Sequence, residues 1–434
     1  MSRSSATATS DPVTGSPAYP IGTSVDAEGH VIVGGCDLVE VAREFGTPAY
    51  VYAPDDIRAR ARAYLAALAA RGVDSEVLYA SKAAPFTAAY RICREEGLSV
   101  DVASGGELQM AMAAGFEPER IYMHGNNKSA EELRMAFAAR SGCLVVDSLD
   151  EIERADWLAD RDQDVLIRLT PGISPSTHSY VQTGQIDSKF GFAIEGGQAA
   201  AAVTAVERSK RLRLAGFHAH LGSQIYELEP YVRAIELMAD FCRPHRPRLI
   251  NVGGGLGIAY AGTVRPPPSE SYVDVKLDAL ERCLDPLPKV LFEPGRSLVG
   301  NAGVTLYTIG AVKEIPGIRT YVAVDGGMSD NLRPMLYGSR YEAVIANRAD
   351  ERGTAITTIA GKHCESGDIL GRDAVLADPR PGALLVTPAT GAYGYAMANN
   401  YNGIPRPPVV FCSGGRATLA VRRETYGDLL SRDV

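Results

Sequence analysis

The strongest constraint on the fold is a regular alternation of short apolar segments and amphipathic segments between residues 77 and 295. The apolar segments are continuous rather than alternating in polarity, which is typical of strands buried on both faces of a parallel sheet. They comprise residues 77–82, 98–103, 120–125, 143–147, 164–170, 214–221, 249–255 and 289–295. Eight such units favour a closed (β/α)8 barrel, known as a TIM barrel, over the competing open Rossmann-type sheet.

Helix signals fill the intervals between these predicted strands. Two of the amphipathic segments are followed by glycine, at Gly97 and Gly115, which suits the end of a helix. A third begins with Ser-Ala-Glu-Glu, so we expect Ser129 to cap its first turn. The connection over residues 171–192 is too long and too polar for an ordinary loop, which predicts a functional or disordered segment.

The alternation ends near residue 300, where short β-rich pieces separated by glycine and proline take over. This change predicts a barrel over residues 45–299 and an all-β domain over residues 300–434, a β-sandwich or Greek-key β-barrel. Residues 1–44 begin with a Ser/Thr/Pro-rich leader of about twenty residues that we expect to be disordered. The strand and turn signals in the rest of that segment predict that it packs with the β domain.

Composition argues against several classes of protein. The 434 residues include 44 Lys and Arg against 52 Asp and Glu, and the net charge of −8 argues against a nucleic-acid partner. No apolar run reaches the roughly 20 residues of a membrane helix, and the N-terminus lacks the apolar core of a secretory signal. The seven cysteines are scattered without a CxxC pair, so we expect a cytoplasmic protein with no disulfide framework and no metal site.

Seven of the predicted strands end in groups suited to catalysis or to anion binding. In a (β/α)8 barrel, the carboxyl ends of the strands form the face that carries the active site. These groups are Lys82, Asp101, His124, Arg168, His220, the run Gly253, Gly254 and Gly255, and Glu293. Each has a plain structural explanation when taken alone, but together they predict an active site at this face.

Lys82 and the glycine run are suited to binding the two functional groups of a phosphorylated aldehyde, namely the aldehyde and the phosphate. Burial of Lys82 would lower its pKa and suit a covalent bond to an aldehyde, whereas the alternative is an ordinary loop lysine. Consecutive glycines allow several backbone N–H groups to point at one anion. We therefore interpret the glycine run as a phosphate site, to which Ser223 donates a further hydrogen bond. A plain turn is the alternative.

Glu293, in the segment EPGR, needs a cationic partner if it is buried. A protonated pyridine nitrogen would serve, and Arg296 offers a bidentate clamp for a carboxylate. An internal ion pair between Glu293 and Arg296 is an equally good interpretation. We expect His218 and His220 to face opposite sides of one strand, with one of them stacked on a flat ring.

In the predicted β domain, polar residues cluster in three glycine-rich segments. GKHCESGD places Cys364 and Glu365 beside a histidine that would poise the thiol as a proton donor, and a buried, inert cysteine is the alternative. Arg333 and Tyr337 lie in VDGGMSDNLRPMLYGSRYE, and Tyr393 lies in TGAYGYAMANNYN. Each of these two segments is either a recognition loop or solvated surface.

These motifs occur in one order along the chain: YASK, DVASGGEL, HGNNKS, PGISPSTHSYVQTGQIDSKFGF, HLGSQ, GGGLG, EPGR, VDGGMSDNLRP, GKHCESGD and GAYGYAMANNYN. As a set they resemble the diaminopimelate decarboxylase family, within the fold-type III, alanine-racemase-like enzymes that use pyridoxal 5'-phosphate. The resemblance extends from about residue 45 to the C-terminus. Ala84 and Pro85 are a departure, because many members have Asn near this position.

The resemblance implies a cofactor role for most of these residues. Lys82 corresponds to the lysine that binds the cofactor aldehyde, His220 to the histidine that stacks on the ring, and Glu293 to the partner of the ring nitrogen. The implied phosphate site comprises Gly253, Gly254, Gly255, Ser223, Gly295 and Arg296. Asp101, Arg168 and Tyr393 are expected to contact the cofactor as well.

The resemblance also implies a substrate site and a homodimer with shared active sites. Cys364 corresponds to a proton donor that comes from the second subunit. The residues expected to contact the substrate are Arg296, Arg333, Tyr337, Glu365 and Tyr393.

The implied reaction is decarboxylation of meso-2,6-diaminopimelate to L-lysine and CO2, the last step of lysine biosynthesis. Arginines for a distal carboxylate and Glu365 for a distal ammonium suit this substrate better than ornithine, which has no distal carboxylate. A related decarboxylase acting on another basic or carrier-tethered amino acid is the first alternative. A non-catalytic homologue is the second, and the presence of Lys82 and Cys364 disfavours it.

Overall fold

The computed structural model describes residues 11–173 and 188–434, which form two compact units. The first, called the β unit here, comprises Met1–Asp56, Ile258–Arg265 and Val299–Val434. The second, called the barrel unit, comprises Ile57–Gly257 and Pro266–Leu298. Most of the long connection over residues 171–192 lies outside the described residues.

The N-terminal segment forms a small antiparallel sheet, one helix and one strand of a larger sheet. Its elements are β1 (Ser24–Val25), β2 (Val31–Val33), β3 (Cys36–Asp37), α1 (Leu38–Phe45) and β4 (Ala49–Tyr52). Helix α1 begins where the Asp37 side chain accepts a hydrogen bond from the N–H of Val39. Helix α2 (Pro54–Arg71) follows.

Eight parallel strands close into a barrel, which confirms the predicted TIM barrel and excludes the open Rossmann-type sheet. The circle is completed by pairing of β8 with β9 and of β13 with β5, and the short β10 (Phe192–Ala193) pairs with β9. The eight barrel strands are β5 (Ser75–Ala80), β6 (Ser99–Val102), β7 (Ile121–Met123), β8 (Cys143–Val146), β9 (Gln163–Thr170), β11 (Leu212–Ala219), β12 (Leu249–Asn251) and β13 (Lys289–Phe292).

Three of the described helices between the barrel strands begin after a serine that caps the first turn. The hydroxyls of Ser104, Ser129 and Ser148 each accept the N–H of the third residue along the chain. Ser129 and Glu132 form a reciprocal capping box, which confirms the predicted cap. The helices are α3 (Thr87–Glu95), α4 (Gly105–Ala113), α5 (Ala130–Ala138), α6 (Leu149–Leu158), α7 (Gln198–Arg208), α8 (Glu229–Cys242), α9 (Ser269–Cys283) and α10 (Arg296–Val299).

The β unit is organised around the long strand β14 (Gly303–Ile315). The first half of β14 pairs with β4 and β19, and its second half pairs with β15. The other strands are β15 (Arg319–Val324), β16 (Val344–Ile345), β17 (Ala355–Ala360), β18 (Ile369–Leu376), β19 (Leu384–Thr387), β20 (Val409–Ser413) and β21 (Arg416–Val421). Its short helices are α11 (Arg333–Tyr337), α12 (Gly394–Met397) and α13 (Tyr426–Leu430).

The unit boundaries differ from the predicted domain boundaries at two places. Residues 45–56 belong to the β unit rather than to the barrel, because β4 pairs with β14 and with β20. The segment Ile258–Arg265 also belongs there, and the Asn301 amide donates to the carbonyl oxygen of Ala259 in that segment. Apolar periodicity could not assign either segment, since both are short.

Part of the leader is ordered, so the prediction of disorder is wrong for residues 11–20. Val13, Ala18 and Tyr19 are buried in one core cluster together with residues of β2, β14 and β20. The described part of residues 1–44 therefore packs within the β unit. A few apolar side chains hold it there, although the composition of the segment is mainly polar. No helix in the described ranges is long and apolar enough to cross a membrane.

Candidate active site

Glu293 is the centre of a buried polar cluster at the carboxyl end of the barrel strands. It follows β13 directly, and 6% of its surface is exposed. Its Oε1 accepts a hydrogen bond from Asn251 Nδ2 at 2.6 Å and lies 2.9 Å from His124 Nε2. Its Oε2 lies 3.1 Å from His218 Nε2. Three side chains from three other strands therefore converge on this carboxylate.

These contacts favour the ionised carboxylate. Burial alone would raise the pKa of Glu293, but the charges and hydrogen bonds of His124 and His218 outweigh it and hold the pKa well below its usual range. His218 is itself buried, and burial lowers the pKa of its imidazole to about 4. His218 is therefore a neutral ring near pH 7, and its Nε2–H donates to Glu293.

The expectation that His218 and His220 face opposite sides is wrong. Residues two apart in a strand share a face, because only successive side chains alternate. His218 contacts Glu293, and His220 Nδ1 accepts the backbone N–H of Gly254 at 3.2 Å. Burial, with the nearby Lys82 and Arg168 charges, lowers the pKa of His220 well below its usual range. His220 is therefore a neutral ring whose orientation Gly254 fixes.

The glycine run forms a tight turn after β12 that leaves no room for side chains. Gly253 and Gly255 have φ of +61° and +109°, a conformation that favours glycine. A Cβ at Gly254 would lie 2.1 Å from the carbonyl oxygen of Glu293. The N–H of Gly253 donates to Asn251 Oδ1 at 2.9 Å, so two N–H groups of the run are engaged by neighbouring side chains.

Arg296 and Ser223 meet in the same unit. The Arg296 Nε and Nη2 atoms donate to Ser223 Oγ at 3.1 and 2.9 Å. The described contacts of Glu293 are with Asn251, His124 and His218, and the internal ion pair with Arg296 stays an alternative. Gly295, between them, packs so closely that a Cβ there would lie 3.0 Å from Ala80, the last residue of β5.

Lys82 lies two residues beyond the end of β5, in the short turn Ser81–Ala83. Its side chain is exposed, so the expectation of a buried amine is wrong. Its charge nevertheless acts on the buried Asp101 and His220. The neighbouring Ser81 hydroxyl donates to Glu107 Oε2 at 3.3 Å, which ties the turn to α4. Lys82 therefore follows a barrel strand at the same end as Glu293.

Asp101 and Arg168 are buried at the ends of β6 and β9. Burial raises the pKa of Asp101, although the His124 charge opposes the change. The Arg168 guanidinium stacks 4.3 Å from the centre of the Phe190 ring, and its Nε lies 3.7 Å from Asp147 Oδ1.

In the β unit, Cys364 and Glu365 lie in an exposed loop between β17 and β18. Cys364 is exposed, so the alternative of a buried, inert cysteine is wrong, and its backbone N–H donates to Asn402 Oδ1 at 2.9 Å. His363 is buried, and its Nδ1 lies 2.7 Å from Asp368 Oδ2. The histidine beside the thiol thus bonds to a carboxylate.

Asp368 joins this loop to the segment that begins VDGGM. Its Oδ1 accepts the N–H of Met328 at 2.7 Å, and its Oδ2 accepts the N–H of His363 at 3.0 Å. A Cβ at Gly327 or Gly361 would lie 2.5 or 2.1 Å from the Asp368 carboxylate, so both positions require glycine. The two glycine-rich segments are held together by one buried acid.

Arg333 lies at the start of α11 in an aromatic pocket of the β unit. It donates to the hydroxyls of Tyr260 and Tyr341, the latter at 2.6 Å, and its guanidinium lies 5.8 Å from the Tyr337 ring centre. The sequence candidates Arg333 and Tyr337 are therefore neighbours. Tyr393 precedes α12 with a positive φ of 64°.

Of the residues that contact Glu293, sequence reasoning missed Asn251. It had a visible signal, since it is a polar residue within an apolar strand just before the glycine run. His124, His218 and Glu293 place ligand atoms within 4.8 Å of one another, a spacing that a metal ion also accepts, so the absence of a metal site stays a prediction.

Comparison with known proteins assigns the chain to a family. The sequence model described as "Pyridoxal-dependent decarboxylase, pyridoxal binding domain" matches residues 54–300. Diaminopimelate decarboxylase of Bacillus subtilis is 48% identical over 419 residues, 94% of this chain and 95% of that protein. The enzyme of that name from Mycobacterium tuberculosis H37Rv is 42% identical over 438 residues, with coverage of 96% and 97%.

A solved structure supports the same assignment. The crystal structure of diaminopimelate decarboxylase from M. jannaschii matches with a TM-score of 0.89 and 32% identity, covering 95% of this chain and 97% of that one. The same protein in complex with L-lysine matches with a TM-score of 0.88, 31% identity and the same coverage. This chain therefore belongs to the diaminopimelate decarboxylase family of pyridoxal-dependent enzymes.

Proposed function

We propose that this protein decarboxylates meso-2,6-diaminopimelate to L-lysine and CO2, the last step of lysine biosynthesis, with pyridoxal 5'-phosphate as cofactor. Relatives of that name are 42–48% identical over nearly the whole chain. The observation that carries the proposal is the convergence of Glu293, the glycine turn and the Arg296–Ser223 pair at the barrel face where the charge of Lys82 acts on Asp101 and His220.

The donor groups of the barrel fit this cofactor. A carboxylate accepts about four hydrogen bonds, and three contacts occupy Glu293, which leaves one for a protonated ring nitrogen. Arg296, Ser223 and the glycine turn suit a phosphate group. Lys82 would hold the aldehyde carbon, and the flat face of His220 suits the ring.

The chemistry that the cofactor supplies is an electron-withdrawing ring, which weakens the bond between the substrate α-carbon and its carboxylate. Glu293 remains ionised and so stabilises positive charge at the ring nitrogen. Asn251 and His218 hold its two oxygens in place. Asp101 and Arg168 complete the charged surroundings of Lys82 and His220.

The β unit supplies the groups for proton return and substrate recognition. The Cys364 Sγ donates a proton to the substrate carbon that has lost CO2. Arg333 and Tyr337 contact the distal carboxylate, Glu365 the distal ammonium, and Arg296 and Tyr393 act at both cofactor and substrate. We also propose a cytoplasmic homodimer in which one copy supplies Cys364 to the barrel of the other.

The reaction is tested by measuring CO2 release from the purified protein with pyridoxal phosphate. We expect release from meso-diaminopimelate and much slower release from lysine, ornithine and arginine, because these lack the distal amino-acid group. The matched control is Lys82→Ala, which removes the amine and should abolish release. Comparable rates with ornithine or lysine would instead support the related decarboxylase of another basic amino acid.

The shared site is tested by mixing two inactive variants, Lys82→Ala and Cys364→Ala, after dissociation and reassociation. If Cys364 serves the barrel of the partner, each mixed dimer has one intact site, and about a quarter of the wild-type activity should return. Each variant reassociated alone is the control. Absence of any recovery, with mixed dimers shown to form, would contradict the shared site.

A further inference from the structure

Lys276 lies on α9, directly behind the glycine turn, and only 1% of its surface is exposed. Its Nζ donates to the carbonyl oxygen of Val252 at 2.7 Å and contacts that of Gly253 at 3.4 Å. It also lies 2.5 Å from the hydroxyl of Tyr272, one helical turn earlier. A buried amine thus points at the backbone of the turn from the side of the helix.

Tyr272 extends this contact to the next residue of the turn. Its hydroxyl donates to the carbonyl oxygen of Gly254 at 2.8 Å. The carbonyl groups of Val252, Gly253 and Gly254 are therefore all held by two side chains of α9. Because each peptide unit is planar, fixing a carbonyl oxygen also fixes the direction of the N–H on the next residue.

The surroundings of Lys276 contain aromatic faces but no partner carboxylate. Its Nζ lies 4.3 Å from the ring centre of Tyr272, 4.5 Å from that of Tyr231 and 5.7 Å from that of Phe292. No described carboxylate forms an ion pair with it. Burial lowers the pKa of Lys276 well below its usual range, although the charge of Glu293 opposes the change.

Lys128, the other deeply buried lysine of the barrel, has different partners. Its Nζ donates to Glu151 Oε1 at 2.6 Å and to the carbonyl oxygens of Val145 and Gly125 at 2.6 and 2.8 Å. Lys128 therefore has an internal counter-charge. Lys276 has no such ion pair among the described residues, and its hydrogen bonds go to the glycine turn and to Tyr272 instead.

We propose that Lys276, together with Tyr272, is a positioning residue for the cofactor phosphate: the two side chains hold the carbonyl groups of the glycine turn and so fix the conformation of the phosphate site. The inference rests on the proposed function, since it takes the glycine turn as the phosphate site. The N–H groups of Gly253 and Gly254 donate to Asn251 and His220, so the N–H that the held turn directs toward the phosphate is that of Gly255, next to the carbonyl group that Tyr272 holds.

The test compares two ligands that differ only in the phosphate. Dissociation constants of the full-length protein for pyridoxal phosphate and for pyridoxal are measured by equilibrium dialysis for the wild type and for Lys276→Met. We expect the affinity for pyridoxal phosphate to fall by about 10- to 100-fold in the variant. The affinity for pyridoxal should hardly change, because the aldehyde and ring contacts remain. The ratio of the two affinities should therefore fall by about the same factor as the affinity for pyridoxal phosphate.

Lys128→Met is the matched control, since it removes a buried lysine of the same barrel away from the turn. It should lower the melting temperature and leave the ratio of the two affinities as in the wild type. If Lys276→Met does not fold, Tyr272→Phe keeps the ring and removes only the hydroxyl on Gly254. This variant should shift the ratio in the same direction by a smaller factor.

The outcomes separate the inference from the proposed function. A wild type that binds pyridoxal phosphate no better than pyridoxal would overturn the phosphate site and with it the proposed function. A wild type with a strong preference, and folded variants at Lys276 and Tyr272 that retain it, would overturn only the role of Lys276. Equal losses for both ligands would show a merely structural lysine and would also overturn the inference.

Discussion

Glu293 in the barrel unit and Asp330 in the β unit are both buried carboxylates, yet their pKa values are displaced in opposite directions. Glu293 is contacted by side-chain nitrogen atoms of Asn251, His124 and His218. Asp330 accepts the backbone N–H of Gly327 at 2.7 Å and the hydroxyls of Tyr307 at 2.6 Å and of Ser329 at 3.5 Å. Burial, reinforced by two neighbouring carboxylates, raises the pKa of Asp330 to about 7.

The comparison separates the effect of burial from the effect of the donor groups. Burial disfavours the charged carboxylate at both sites, and only at Glu293 do the charges and hydrogen bonds of two histidines outweigh it. The barrel can therefore offer a fixed negative charge to a ligand at neutral pH. The β unit instead keeps an acid that is close to half protonated there, and its hydrogen bonds serve the loop that begins VDGGM.

The largest effect is expected when the charge of Glu293 is removed. Glu293→Gln keeps the shape of the side chain but cannot stabilise positive charge at the ring nitrogen, so we expect kcat for CO2 release to fall by about 100- to 1,000-fold. The variant should still bind the cofactor through Lys82 and the phosphate site, which an absorbance titration checks.

Asp330→Asn is the matched control for that experiment, because it also neutralises one buried carboxylate by an isosteric change. Its effect on kcat should be far smaller, since Asp330 organises a loop rather than contacting the ring. Similar kcat values for Glu293→Gln and the wild type would remove Glu293 from the reaction. Equal losses in both variants would attribute the effect to folding.

Much of the architecture could be predicted because it depends on local pattern. Continuous apolar segments of strand length identified all eight barrel strands, and Ser129 was recognisable as a helix cap from four consecutive residues. The strand β4 was misassigned to the barrel because its pairing partners, β14 and β20, are more than 240 residues away. Local pattern does not encode which sheet a short strand joins.

The site could be predicted only in part, for a related reason. Lys82 and Glu293 follow strands, so the barrel topology alone brings them to one face. Lys276 sits in an ordinary amphipathic helix, SESYVDVKLDALERC, where a lysine is normally solvated. Its burial behind the glycine turn depends on the packing of α9 against the barrel, which no short motif records.

The smaller expected effect is a pH dependence of stability that tests the opposite pKa displacements directly. Asp330 prefers its neutral form in the folded state, so the wild type should lose stability as pH rises from the unfolded value near 4 to the folded value of about 7. A displacement of this size corresponds to at most about 4 kcal/mol. Asp330→Asn removes this dependence, and its urea midpoint relative to the wild type should rise over that pH range and level off above it.

Glu293 should give the opposite sign under the same conditions. Its folded pKa is depressed, so its contribution to stability is present above the unfolded pKa, near 4.5, and is lost as pH falls below it. Relative to the wild type, Glu293→Gln should therefore gain stability only on the acid side. Measuring both variants without added cofactor removes ligand stabilisation, which would otherwise differ between them because Glu293 is a proposed cofactor contact. Parallel curves for the two variants would mean that burial, and not the surrounding donors, controls both carboxylates.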